Sequence, residues 1–351
     1  VLSGAGTGTG TRTSAGAGAG VVRMVRDPVR YGFAVGRVRV LETRMLSSAT
    51  YERLIDARDI TSQRRILSET VYGGFLERAN NAEGVERGLE AAVTELYESF
   101  LCRSHLPEEV VAYFRIRHDF DNLKGRLKAE SLGVDVSGML TRLGSKPPDV
   151  FTGSAELLSG PLRLAESRIR AAATGEDGAL APGRIDDMID AELFSELGRI
   201  AKRVRNPFLN DLLALEADLA NVRVILRARV RAAPAAYAEE RLVPGGRIPV
   251  SALVAAHRLP LEDVARRLTS AGPLRGMDPE AVIDIERFDV AASALLARKV
   301  RTSRMFAIGP EPVLGYVMSR LAEVTAVRTL LLGSLAGVDR NALRARLQDV
   351  M

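Results

Sequence analysis

A helical stripe recurs three times along this chain at intervals of about 100 residues, and no other feature restricts the fold as much. Its first copy is Tyr113, Ile116, Phe120, Leu123 and Leu127. The second, 99 residues on, is Leu212, Leu215, Leu219, Val222 and Leu226; the third, 105 further, is Val317, Arg320, Val324, Val327 and Leu331. Steps of three and four put the positions of each copy on one face of an α-helix. Such a face needs other helices against it, so the repeat predicts an all-α chain of similar helical units.

Polar residues share the frame, which apolar periodicity alone would not require. An acid stands at Asp119, Asp218 and Glu323, and a base five residues later at Lys124, Arg223 and Arg328. Asparagine lies between them at Asn122 and Asn221, whereas the third copy has Ala326. At a separation of five, acid and base do not stack as i,i+4 neighbours do. Each is expected to serve a neighbouring helix and fix one inter-helix contact per unit. The other reading is a charged ring touched directly by partners. The asparagines read as satisfied buried amides that set helix register.

Composition agrees with helices. The chain has 351 residues, 46% of them hydrophobic, with no Trp and only 5% aromatic residues, so it can bury sizeable cores built mostly from helix formers. A net charge of +5 from 49 basic and 44 acidic residues, without a basic run carrying interleaved aromatics, argues against a nucleic-acid partner. The single Cys102 excludes an internal disulfide and a thiolate metal site, and fits a reduced compartment. No run approaches the 18 or so apolar residues of a membrane span; Thr329 to Val338 is about half that and is interrupted by Gly333 and Gly337.

Residues Val1 to Gly20 are nearly all Gly, Ala, Thr and Ser, too little apolar surface to offset the entropy of ordering them. Leu54, Ile55 and Ile60 match Leu253, Val254 and Leu259 at an offset of 199, with no counterpart evident in the middle unit. Placing each long helix at the end of its unit gives a disordered tail over 1–26 and helical domains over 27–133, 134–234 and 235–351.

No constellation for catalysis, cofactor binding or metal binding emerges. Gly4-Ala5-Gly6-Thr7-Gly8 has neither the preceding strand nor the following helix that a phosphate loop needs. His105, His118 and His257 are scattered, without a second His or Cys at ligand spacing; His118 beside Asp119 points about 100° away from it on a helix and reads as a surface or capping residue. Arg37, Arg39 and Arg44 read as a solvated helix face, or as a cationic one toward acidic loops or anionic headgroups.

Over most of its length the chain resembles the C/d subunits of the V/A-type rotary ATPases. The likeness lies in Tyr31, Ala34, Arg37 and Arg39, in Leu67-Ser68-Glu69-Thr70-Val71-Tyr72-Gly73-Gly74, and in Asp119-Phe120-Asp121-Asn122-Leu123-Lys124. It continues in Glu216-Ala217-Asp218-Leu219-Ala220-Asn221-Val222-Arg223 and Leu242-Val243-Pro244-Gly245-Gly246-Arg247-Ile248. Ala326 and the Ala/Gly/Pro-rich stretch from Gly160 to Gly183 depart from it. The resemblance implies a pseudo-threefold funnel of three helical domains, with no catalytic site, cofactor or metal of its own. It would join the central-shaft subunits of D/F type to the membrane proteolipid ring, on the cytoplasmic face. The alternative is a helical scaffold binding peptides, although solenoid repeats run only about 20–45 residues.

The stripe is expected to be core. Leu123→Asp, Val222→Asp and Val327→Asp should each lower the unfolding midpoint strongly, because an unpaired buried carboxylate adds desolvation to lost packing. Parent-like melting of all three would show the aligned frame to be wrong.

Overall fold

The computed structural model describes residues 28–153, 155–175, 180–270 and 272–347. The Gly-rich tail expected to be disordered, 1–26, lies outside them. Among the described residues the chain is all-α, with no strand and one isolated bridge between Thr174 and Leu180.

The first stretch holds α1 (Pro28–Glu42), α2 (Ser48–Asp56), α3 (Ile60–Ser68), α4 (Gly73–Leu76), α5 (Ala82–Glu95) and the long α6 (Glu108–Leu132). The second holds α7 (Asp149–Thr152), α8 (Gly160–Ala173), α9 (Pro182–Val204) and the long α10 (Pro207–Val230). The third holds α11 (Ala235–Glu239), α12 (Val250–Arg258), α13 (Leu261–Ser270), α14 (Ile285–Arg301), the long α15 (Pro310–Leu335) and α16 (Arg340–Leu347).

Local chemistry sets the ends. Ser47, Asp59, Asn81, Asn206 and Asp284 turn their side chains onto the first free amides of α2, α3, α5, α10 and α14. Proline opens α9, α10 and α15, where its missing N–H costs nothing. Helix α6 stops at Gly133, whose φ of 65° only glycine adopts without strain.

Every residue of the three stripes is buried, Arg320 included. The long helices are in fact covered on several sides: α10 also buries Phe208, Leu213, Ala217 and Ile225. The reason is that each is shared. Helix α6 packs most extensively on α9, α10 on α14, and α15 on α5, so a long helix lies against the helix that precedes the next long helix. The last of these contacts returns to the start of the chain. There α15 also packs on α1 and α3, while α16 lies on α2, where Arg344 reaches Glu52 and Asp56 at 3.0 Å.

The N-terminal halves of the long helices contribute to the same core. Tyr113, Leu209, Leu212, Val313 and Val317 belong to one buried cluster. Positions that are equivalent in the repeat also touch each other. Arg117 donates to Glu216, 99 residues on, at 2.6 Å, and Asn206 donates to Glu311, 105 residues on, at 3.0 Å. These contacts join α6 to α10 and α10 to α15.

Candidate functional site

The repeated polar residues occupy the junctions between consecutive stretches. Asp119 on α6 accepts the Ser145 hydroxyl at 2.6 Å and the Lys146 N–H at 3.0 Å. Asp218 on α10 accepts the Ile248 N–H at 2.8 Å. Glu323 on α15 accepts the Leu46 N–H at 2.6 Å across 277 residues of sequence. The three amide donors, Leu46, Lys146 and Ile248, lie 100 and 102 residues apart and stand just before α2, α7 and α12, which start at Ser48, Asp149 and Val250. In each case a buried carboxylate on a long helix clasps the backbone where the next short helix begins, and the third clasp returns to the first stretch.

The acids therefore bind loops, correcting the expectation that they would contact a neighbouring helix. The loops have backbone amides to satisfy, whereas interior helix amides are already paired. Burial pushes all three carboxyls above their ordinary range, although the amide and hydroxyl donors pull the other way. Glu323 receives two further donors: the Tyr72 hydroxyl at 2.9 Å, and Arg320, whose guanidinium also lies over the Tyr72 ring.

Asn122 and Asn221 hold the same loops a few residues earlier. Asn122 donates to the Thr141 carbonyl at 2.9 Å and accepts its N–H at 2.9 Å. Asn221 does the same with Val243, at 3.0 and 2.7 Å. The equivalent of Thr141 and Val243 in the first stretch is Leu41, which is inside α1 and has its N–H in the helix ladder, while its carbonyl accepts from Arg44 at 3.1 Å. Nothing is left there for an asparagine, so Ala326 fits the third copy.

The bases do reach neighbouring helices. Lys124 meets Asp186 of α9 at 2.6 Å, Arg223 meets Asp289 of α14 at 2.6 Å, and Arg328 meets Glu86 of α5 at 2.9 Å. Glu86, Asp186 and Asp289 are 100 and 103 residues apart, a second repeated set. Burial works to raise the Asp186 carboxyl, but hydrogen bonds from Lys124 and Lys128 outweigh it and hold it below the usual range. These pairs are a third to nearly half exposed, so each contributes at most about 1 kcal/mol and serves orientation more than stability. Sequence reasoning missed the acids because their separation from the base varies, from 62 residues for Asp186 to 66 for Asp289.

Other candidates resolve into packing. His118 is half-buried in the middle of α6 and caps no helix: its Nε2 lies 3.2 Å from the Tyr97 hydroxyl and its Nδ1 3.7 Å from Asp121, and burial, with Arg117 and Arg115 nearby, pushes it down to about 4. Arg37 reaches Ser104 Oγ and the Ser99 carbonyl, and Arg39 reaches Glu42 and the Phe306 carbonyl. No group of His, Cys, Asp and Glu among the described residues is arranged to hold a metal ion, and no described helix is long and apolar enough to cross a membrane.

The asparagine clasps give a direct test. Asn122→Ala and Asn221→Ala each strand a loop N–H and C=O, and each should cost roughly 2–4 kcal/mol in denaturant unfolding. A loss within measurement error would mean that water replaces the amide and that the clasp is not structural.

The family model for the ATP synthase (C/AC39) subunit matches residues 34–346. The C subunit of the V-type ATP synthase of Thermus thermophilus is 26% identical over 322 residues, covering 88% of this chain and 96% of that protein. The C subunit of the A-type ATP synthase of Thermococcus kodakarensis is 24% identical over 318 residues, covering 86% and 85%. The C subunit of the V-type sodium ATPase of Enterococcus hirae is 22% identical over 325 residues, covering 89% and 96%. With the family matched across nearly all of its described length, this chain belongs to the ATP synthase (C/AC39) subunit family and is a subunit of a rotary ATPase.

Proposed function

We propose that the chain is a non-catalytic coupling piece, seated on the proteolipid ring at the cytoplasmic face of the membrane and holding the end of the central shaft of D/F-type subunits. Three helical units around an approximate threefold axis would form the socket. Torque applied by the shaft would then turn the ring, or the reverse, with ATP chemistry and ion binding residing in other subunits.

The observation that carries this reading is the series of carboxylate clasps running from each long helix to the next unit and from the last back to the first. A linear string of helical units would flex at every connection. Units tied in a closed series, each sharing a long helix with its neighbour, resist shear at all junctions together, because displacing one requires repacking a close-packed interior. The near-complete match to subunits named for the ATP synthase favours coupling over a free peptide-binding scaffold.

Removing the chain from an otherwise complete complex should leave ATP hydrolysis by the soluble head and abolish ATP-driven ion transport, with add-back restoring transport. Full transport without the chain would contradict the proposal, as would loss of hydrolysis by the detached head.

A further inference from the structure

Helix α1 carries two apolar faces, one buried and the other largely open, with only the His105 ring against Phe33 and the Ser99 and Ser104 oxygens on Arg37 among the described residues. Tyr31, Ala34, Val35 and Val38 are buried where α1 packs on α15. The opposite face presents Phe33 and Val40, 58% and 57% exposed, at the i, i+7 spacing of a second stripe. Together with Gly32, Gly36, Arg37, Leu41 and Arg44 they line an open groove of about 420 Å³.

The glycines on this face make room for no neighbour among the described residues. A Cβ added at Gly32 or Gly36 would meet nothing within 4 Å, although each glycine costs a helix interior about 1 kcal/mol relative to alanine. Gly88 in α5, by contrast, is needed where it stands, since a Cβ there would lie 2.5 Å from the Phe75 carbonyl oxygen, whereas Gly183 and Gly198 in α9 face open space as Gly32 and Gly36 do. Two glycines four residues apart lower the helix surface so that another backbone can come close. The charges beside them face no carboxylate. Arg37 donates to the neutral oxygens of Ser104 and Ser99 and lies over the Phe33 and Phe100 rings, and among the described residues no carboxylate lies within 4 Å of Arg37 or Arg44.

We infer that the outer face of α1 docks a helix of another subunit, one whose apolar stripe is flanked by carboxylates that pair with Arg37 and Arg44. This rests on the coupling reading, which supplies the assembly. A second copy of this chain is the wrong occupant, since like faces would set Arg37 and Arg44 against themselves. A lipid surface is also a poor match, because interfacial helices rely on large apolar side chains where this face has glycine.

The test uses the full chain and the remaining ATPase subunits purified without it. Gly36→Leu fills the groove and Arg44→Glu reverses its charge; Gly36→Ala reports on the helix itself. Gly36→Ala should leave the melting temperature of the chain unchanged or higher. Gly36→Leu and Arg44→Glu should weaken its binding to the subcomplex by at least about tenfold. A photo-crosslinker in place of Phe33 should label a carboxylate-bearing helix of one other subunit. Equal affinity of the parent and both docking variants would overturn the inference while leaving the coupling role intact. So would self-association of the parent that Gly36→Leu abolishes, or binding to phosphatidylserine vesicles that Arg44→Glu abolishes. A parent chain that fails to join the subcomplex would instead remove the coupling role and this docking site with it.

Discussion

A buried carboxylate accepting a backbone N–H from the loop that opens the next unit is the interaction on which the arrangement depends. Loop amides drawn into an interior must find acceptors, and an unpaired one costs about 1–3 kcal/mol. Asp119 and Asp218 supply that acceptor at such close range that a Cβ on Gly144 or Gly246 would fall on their Oδ1 atoms. Glycine at both places is the steric counterpart of a short acid. In the third copy the acid is longer by one methylene, and Arg44 occupies the matching loop position. Acid length and loop residue thus change together, which is expected if helix-to-loop distance is the quantity being set.

Because the clasp points forward, each long helix belongs to two bodies. In its N-terminal half α10 meets both other long helices, where Arg117 meets Glu216 and Asn206 meets Glu311. Further along, its acid and asparagine hold the next loop, and its base meets the helix beyond. The connection from one unit to the next therefore runs along a helix through packed side chains and hydrogen bonds, in addition to the covalent link. That arrangement suits the coupling role proposed above, in which a connection would have to carry torque without storing much of it as bending.

The stripe and its polar frame were legible because both obey the helical period, and Asp119, Asp218 and Glu323 with their bases fall in one register. The partners were less so. The acids bind backbone atoms, which leave no mark in side-chain identity beyond Gly144 and Gly246, and the loops sit at offsets slightly different from those of the helices. The clasped amides relate Leu46 to Ile248 by 202 residues, so the offset of 199 assigned to Leu54 and Leu253 slips by three. A slip of about one turn keeps every side chain near the same helix face, and hydrophobic periodicity cannot detect it. The middle unit gave no early match because its first helix, α7, is a single turn of four residues, too short to carry a stripe.

In a closed series the last unit clasps the first as firmly as the covalently consecutive units clasp one another. Native-state hydrogen exchange of the Leu46, Lys146 and Ile248 amides in the full chain measures this directly, since each amide is free only when its clasp opens. Comparable, strong protection is expected at all three, with Leu46 selectively released in Glu323→Ala. Rapid exchange at Leu46 in the parent, with Lys146 and Ile248 protected, would show an open series of units whose ends are not joined.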